Sequence, residues 1–293
     1  MSEIYFHLAY SGRITDAHAI DFYDVSQALI GFQRSLALTV HAVINDEVIT
    51  QAPSLRGAEI YAYPPAEGSW KTTAIVVAGV FGGIYQLGTA PRDTPLGNLI
   101  SSAYDYVISE CLGFHVDYST TLGQQIDQMK RNGTLKKLPG QSRLDGVIEK
   151  SEKAVQDMHR PIVKSKTAEL AKISVGFGAA EQPYDFTLDT NTYEYISYRE
   201  MDDTSNTYLG RVSSYNINTY KGRIFVEGYQ RAVPFELAEQ SRGQRAIALI
   251  TRSLARNAES RRADDAEIRF SALLVHSRSG QVKSFYILSV DAK

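Results

Sequence analysis

A stripe of apolar residues runs from Asp21 to Ile44 at helical spacing and sets the first requirement on the fold. Its members recur every three or four positions: Val25, Leu29, Phe32, Leu36, Val40 and Val43. This spacing is typical of a long helix with one buried face. The β-rich run Ile4–Tyr10 precedes it, so the pattern predicts a first strand and a helix that packs against a sheet.

The segment after this helix predicts a β-hairpin. Residues 58–63 and 70–77 are its arms, and Pro64, Pro65 and Gly68 lie between them. Proline fixes one backbone dihedral angle and glycine tolerates a positive one, so both favour turns. Further helices are predicted at residues 96–112, 119–129 and 142–159. The front of the chain therefore has the predicted order β-α-β-β, followed by helices.

The pattern of the sequence changes near Ile173, where short alternating runs begin. Turn residues separate these runs, and one helix, 244–256, lies among them. Five or six short strands with tight turns predict a small barrel of SH3-like or OB-like size. We therefore predict an α+β fold in three parts: an α/β domain at 1–129, a basic helical connector at 130–172 and a small, mostly β, barrel-like domain at 173–293.

Charge is distributed unevenly along the chain. Residues 1–129 contain 5 Lys/Arg and 13 Asp/Glu, a net charge of −8. Residues 130–172 contain 11 and 5, a net of +6, and residues 173–293 contain 15 of each, which leaves the whole chain at −2. The molecule as a whole is therefore no polycation. Its acidic and basic regions can attract each other between copies, which favours assembly into a homo-oligomer.

Residues 72–91 contain no charged residue over 20 positions. Within this segment Ala78, Gly79, Gly82 and Gly83 form two pairs of small residues, each four positions apart, a spacing that lets helices approach closely. The favoured interpretation is a buried strand followed by a glycine-rich packing site. Self-association through these four residues is the second interpretation. Membrane insertion of residues 74–90 is the third, although the four glycines and several polar residues argue against it.

An arginine-rich stretch lies in the predicted barrel domain. It holds six arginines within 21 residues: Arg242, Arg245, Arg252, Arg256, Arg261 and Arg262. Arginines beside many tyrosines are typical of proteins that bind single-stranded nucleic acid, although tyrosine is equally common in ordinary strands. Nucleic-acid or nucleotide binding is therefore an alternative here. In the basic connector, acidic residues are interleaved, as at Glu149 and Lys153, which indicates a solvated helix face.

No catalytic or metal-binding signature is present in the sequence. The histidines are scattered singly: His7, His18, His41, His115, His159 and His276. His115 and Asp117 could orient a base, but no motif supplies a nucleophile. Metal-ligand spacings are missing, and the single cysteine, Cys111, is predicted to be a buried apolar residue. We expect no enzyme activity, no metal and no cofactor. A pocket that groups His115 and Asp117 with another polar residue would change that.

The strand–helix–hairpin plan, with Glu67-Gly68-Ser69-Trp70 at its turn and a small β part behind it, resembles hypothetical bacterial proteins. That resemblance implies a role in phage defence. The N-terminal sequence lacks the features of a signal peptide, so we expect a cytoplasmic protein. Our leading hypothesis is a non-enzymatic protein that assembles with itself and binds a protein partner. The alternatives are a membrane-acting effector and a nucleic-acid or nucleotide binder.

Overall fold

A computed structural model describes residues 2–63, 70–78, 95–115, 118, 122–124, 126, 139–176, 180–259 and 264–293 of the chain. The fold class is α+β, as predicted. The chain divides into two compact units, Met1–Ile196 and Ser197–Lys293. Each unit has its own hydrophobic core.

The first unit is built on a five-stranded antiparallel sheet. Its strands are β1 (Ser2–Ser11), β2 (Ala58–Tyr63), β3 (Trp70–Ala78), β4 (Leu170–Val175) and β5 (Gln182–Pro183), in the spatial order β2-β3-β1-β4-β5. Its helices are α1 (Phe22–Asn45), α2 (Pro95–Leu112), α3 (Gln141–Met158), the short α4 (Arg160–Val163) and α5 (Thr190–Ser197). The predicted first strand, long helix and hairpin arms are therefore present.

The core of the first unit lies between one face of the sheet and α1. Alternate residues of β1 are buried on that face: Ile4, Phe6, Leu8 and Tyr10. The predicted apolar stripe of α1 is buried except for Leu29, which is half-buried. The Asp21 side chain caps α1 by accepting a hydrogen bond of 2.8 Å from the backbone N–H of Asp24.

Helix α3 packs closely against α1 and is part of this core. A Cβ added at Gly31 of α1 would lie only 2.3 Å from the carbonyl oxygen of Ala154 in α3. Glycine therefore permits an approach that no other residue allows at this crossing. Leu144, Val147 and Met158 of α3 are fully buried. Most of the predicted basic connector is thus a core helix with one charged face, while residues 130–138 lie outside the described part of the chain.

The division between the units comes later in the chain than the pattern change at Ile173. That residue lies in β4, pairs with Leu8 of the central strand and is fully buried. Strand β4 therefore completes the first sheet. An alternating sequence signals a strand but not the sheet that the strand joins. This explains the difference from the predicted domain boundary.

The second unit is a closed five-stranded β-barrel with one helix. After the two-residue β6 (Glu200–Met201) come the barrel strands and the helix: β7 (Asn206–Asn216), β8 (Lys221–Val226), β9 (Arg231–Leu237), α6 (Gln244–Glu259), β10 (Ile268–His276) and β11 (Val282–Ala292). The order is β7-β8-β9-β11-β10, with β10 returning to β7. Strands β9 and β11 are parallel. This connectivity, with the helix between the third and fourth strands, is that of the OB-fold.

Helix α6 packs on an irregularity of β7. The register of β7 and β8 shifts between Val212 and Ser214, which is a β-bulge. The Ser253 hydroxyl of α6 accepts a hydrogen bond of 2.9 Å from the backbone N–H of Val212. The side-chain amide of Asn257 donates a bond of 3.1 Å to the Val212 carbonyl oxygen. The bulge therefore fixes which face of α6 meets the barrel.

Candidate functional site

The second unit has a net positive charge, and the first unit has a net negative one. The second unit contains 15 Lys/Arg and 11 Asp/Glu, a net charge of +4, whereas the first unit contains 16 and 22, a net of −6. With the predicted boundary at residue 173, the last part of the chain has no net charge. Residues 173–196 contain four acidic residues and no basic ones, so a boundary after residue 196 leaves that part at +4. The barrel is therefore the part of the chain whose charge favours an anionic ligand.

One cation of the barrel is stacked on an aromatic ring. The guanidinium carbon of Arg242 lies 4.7 Å from the ring centroid of Tyr220. Its Nε donates a hydrogen bond of 3.1 Å to the carbonyl oxygen of Leu237, and an Nη atom lies 3.7 Å from a Glu236 carboxylate oxygen. These contacts hold the planar group in one orientation. About a third of the Arg242 side chain remains exposed.

A buried phenol lies beside this stacked pair. The Tyr215 hydroxyl is buried and has no hydrogen-bond partner among the described residues. Its ring stacks on Phe235 at 6.1 Å. Burial, and then the charge of Tyr220, raise the pKa of Tyr215, while Arg242 opposes the rise. The Tyr215 phenol therefore stays protonated.

Gly222 makes room for this aromatic arrangement. It lies opposite Tyr215 in the β7–β8 ladder. A Cβ at Gly222 would lie 2.9 Å from the ring of Phe235 and 2.2 Å from the carbonyl oxygen of Ser214. No other residue fits there without movement of the backbone. The position of Tyr215 thus depends on the bulge and on this glycine together.

The other described arginines of the predicted site lie on the solvent side of α6. Arg245 is 83% exposed and lies 3.7 Å from Asp291. Arg252 is exposed, and Arg256 is half-exposed with Glu259 and Asp265 at 3.1 and 3.4 Å. Arg242 precedes the helix and stacks on Tyr220 instead of extending this row. The remaining two predicted residues, Arg261 and Arg262, lie outside the described residues.

The predicted self-association residues are described only in part. Ala78 is the last residue of β3 and pairs with Ala58 of β2, whereas Gly79, Gly82 and Gly83 lie outside the described residues. The first unit exposes other apolar side chains that the sequence pattern did not identify. Large apolar side chains are exposed on α1 and on β2: Phe22, Tyr23, Ile30, Tyr61 and Tyr63.

His115 lies beside a carboxylate, but not the one considered from the sequence. Its Nδ1 is 3.5 Å from a carboxylate oxygen of Glu110, whose side chain is almost fully buried. Asp117 lies outside the described residues. Cys111 is buried in α2, as predicted. The pair of His115 and Glu110 is therefore a partly buried polar contact in the first unit, and no nucleophile is assigned to it.

His7 joins four segments on the sheet face opposite the core. Its Nε2 donates to the carbonyl oxygen of Gly176 at 2.8 Å, and its Nδ1 accepts from the Thr73 hydroxyl at 2.7 Å. Glu181 accepts from Lys71 and from the Ser174 hydroxyl, both at 2.6 Å. Burial lowers the pKa of His7. Because its hydrogen bonds are satisfied, we interpret His7 as structural.

The described part of the chain has neither a metal-binding cluster nor a membrane-spanning helix. It contains no group of three or more His, Cys, Asp or Glu side chains placed to hold a metal ion. Among its helices, none has both the length and the apolar character that a membrane span requires.

Comparison with known protein families follows the division into two units. A family model described as "Domain of unknown function (DUF7946)" matches residues 6–197. A second, described as "Family of unknown function (DUF7947)", matches residues 204–291. No curated protein and no solved structure matches the chain. The two matched ranges correspond to the sheet-and-helix unit and to the barrel.

Proposed function

Because the chain belongs to the DUF7946 family, whose description names no activity, we propose a function from the geometry: the protein is a non-enzymatic binding protein whose barrel binds single-stranded nucleic acid. The observation that carries this proposal is the stacked pair of Arg242 and Tyr220 on a basic barrel of OB-fold connectivity. Barrels of this kind are known to bind oligonucleotides.

The chemistry of the barrel suits a single strand. Unpaired bases stack on aromatic rings and on the planar guanidinium of arginine. On α6, Arg245 and Arg252 are about two helical turns apart and could contact two phosphates of one strand. Such contacts release counterions, so binding should weaken as salt concentration rises.

Fluorescence anisotropy with a labelled single-stranded oligonucleotide tests this function. We expect the full chain to bind, with affinity falling steeply between about 50 and 200 mM salt. The double variant Arg245→Glu, Arg252→Glu should bind at least roughly tenfold more weakly. Lys164→Glu, Lys172→Glu is the matched control, because it makes the same charge change at exposed positions of the first unit. Equal binding by both double variants would exclude Arg245 and Arg252 from the binding site.

Self-association is the second candidate function. It is supported by the exposed apolar side chains of the first unit, among which Phe22 is 85% exposed and Tyr61 and Tyr63 are 54% and 55% exposed. Light scattering after gel filtration at micromolar concentration should detect an oligomer. A monomer at every concentration would refute it. Repeating the measurement in high salt shows which force holds the oligomer together. Salt screens attraction between charges, so an oligomer held by charge should dissociate, and one held by apolar contact should persist.

The membrane-acting alternative and the phage-defence role stay predictions. Residues 79–90, most of the segment that would insert, lie outside the described residues. Liposome flotation tests the first of these. Recovery of the protein with the vesicles would favour it over the binding function proposed here.

A further inference from the structure

Most sheet edges of the described chain are protected against further pairing. At one end of the first sheet, β5 has only two residues and the second is Pro183, which cannot donate a backbone hydrogen bond. The barrel closes on itself, so its five strands have no open edge. Strand β6 has only two residues. Short strands, proline and closure are the usual means by which proteins prevent edge-to-edge pairing.

Strand β2 has none of these protections. It forms the other end of the first sheet and spans six residues, Ala58–Tyr63. Its register with β3 is continuous, without a bulge. The strand contains no proline, lysine or arginine, and its one charged residue is Glu59. All six residues are at least partly exposed. An edge of this kind is a template for another strand.

The exposed face of β2 also has the composition of an interface. Glu59, Tyr61 and Tyr63 alternate along the strand and therefore lie on one face. Both tyrosine rings are about half exposed. The Tyr61 hydroxyl donates a hydrogen bond to the Glu59 carboxylate. Tyrosine supplies a large apolar surface with a polar tip and is enriched where proteins meet.

We propose that β2 pairs antiparallel with β2 of a second copy of this chain, so that the two five-stranded sheets become one continuous sheet across a two-fold axis. The inference rests on the self-association proposed above and names its surface. A two-fold axis perpendicular to the sheet requires antiparallel pairing and keeps equivalent faces on the same side.

The sequence of β2 is complementary to itself in this arrangement. If the two-fold axis passes at Tyr61, the Tyr61 residues of the two copies lie opposite each other. Glu59 of each copy then lies opposite Tyr63 of the other. With the axis at Ile60, Glu59 faces Tyr61. In both registers the carboxylate meets a phenol, and no two like charges are opposed. This self-complementarity favours a second copy of the chain over an unrelated peptide.

A charge exchange at Tyr61 tests the pairing in the full chain. Tyr61→Lys alone and Tyr61→Glu alone should each give a monomer if Tyr61 lies on the axis, because each places like charges opposite each other. An equimolar mixture of the two variants should restore the dimer. Misfolding would not be rescued by mixing. If the axis lies at Ile60, Tyr61→Glu alone gives a monomer and Tyr61→Lys remains dimeric, which also supports β2 pairing.

Phe114→Lys is the matched control, since it changes another exposed aromatic residue of the same unit, outside the side chains named for self-association, and should leave the dimer intact. Two outcomes overturn the inference and differ in what they mean for self-association. If the wild-type chain is an oligomer and neither Tyr61 variant changes it, assembly uses another surface and only this inference fails. If the wild-type chain is monomeric at the highest concentration reached, the self-association proposal fails with it.

Discussion

His159 links the stability of the first unit to pH because its ring is fully buried. Its Nδ1 donates to the carbonyl oxygen of Val155 at 2.7 Å, and its Nε2 accepts from the Thr192 hydroxyl at 3.0 Å. The ring is fully buried, and burial lowers its pKa from 6.5 to about 4. The folded protein therefore keeps His159 neutral at a pH where the unfolded chain already binds a proton.

We predict that acid weakens the fold in a defined window. The stabilisation from neutral His159 is complete above pH 6.5 and decreases as the pH falls toward about 4. The difference between these two values corresponds to roughly 3 kcal/mol at most. Urea unfolding at several pH values should show a free energy of unfolding that falls across this window. His159→Gln should reduce the dependence, and His18→Gln, at an exposed position, should not. A profile that is flat in the wild type contradicts the prediction.

Single residues also show the limit of sequence reasoning about the site. Arg242 belongs to the arginine-rich stretch by sequence, yet it stacks on Tyr220 at the end of the β7–β8 turn. Tyr215 was one of many tyrosines in the sequence. Its importance depends on a bulge and on Gly222, which place its ring against Phe235. Such contacts join residues distant in sequence and leave no periodic signal.

At the scale of secondary-structure elements, the packing of α6 against β7 depends on the Ser253 hydroxyl. Ser253 accepts from the Val212 N–H and donates to the Ala266 carbonyl oxygen at 2.6 Å. We predict that Ser253→Ala lowers the stability of the barrel by about 1–3 kcal/mol, because it leaves the buried Val212 N–H without this acceptor. Thermal unfolding followed by circular dichroism measures the effect.

Thr251→Ala is the matched control for that substitution. The Thr251 hydroxyl is exposed and donates only within α6, to the carbonyl oxygen of Ile247 at 2.9 Å. We expect its loss to change the melting temperature little. An equal loss from both substitutions would mean that the contact with the bulge does not account for the cost.

The elements themselves were largely predictable where their pattern is local. The α1 stripe, the β1 run and the hairpin arms each fit within a short window, and each is present. The assignment of β4 to the first sheet was not predictable in this way. It depends on pairs such as Leu8 with Ile173, which lie far apart in the chain. Local alternation indicates a strand but does not identify its neighbour.

At the scale of the whole molecule, two separate cores predict two unfolding events. The buried residues of the first core all lie before residue 197, and those of the second all lie after it. We predict that calorimetry of the full chain resolves two transitions. Residues 197–293 produced alone should reproduce one of them and retain oligonucleotide binding. A single transition that is absent from the isolated segment would contradict this prediction.

The two ends of the first sheet also determine how far the proposed assembly can grow. Pairing through β2 uses the long edge of each copy, and the opposite end is the two-residue β5 with Pro183. A third copy would find no comparable edge among the described strands. Assembly therefore stops at a dimer. As the concentration rises, the molar mass measured by light scattering should level off at two chains, and filaments should not form.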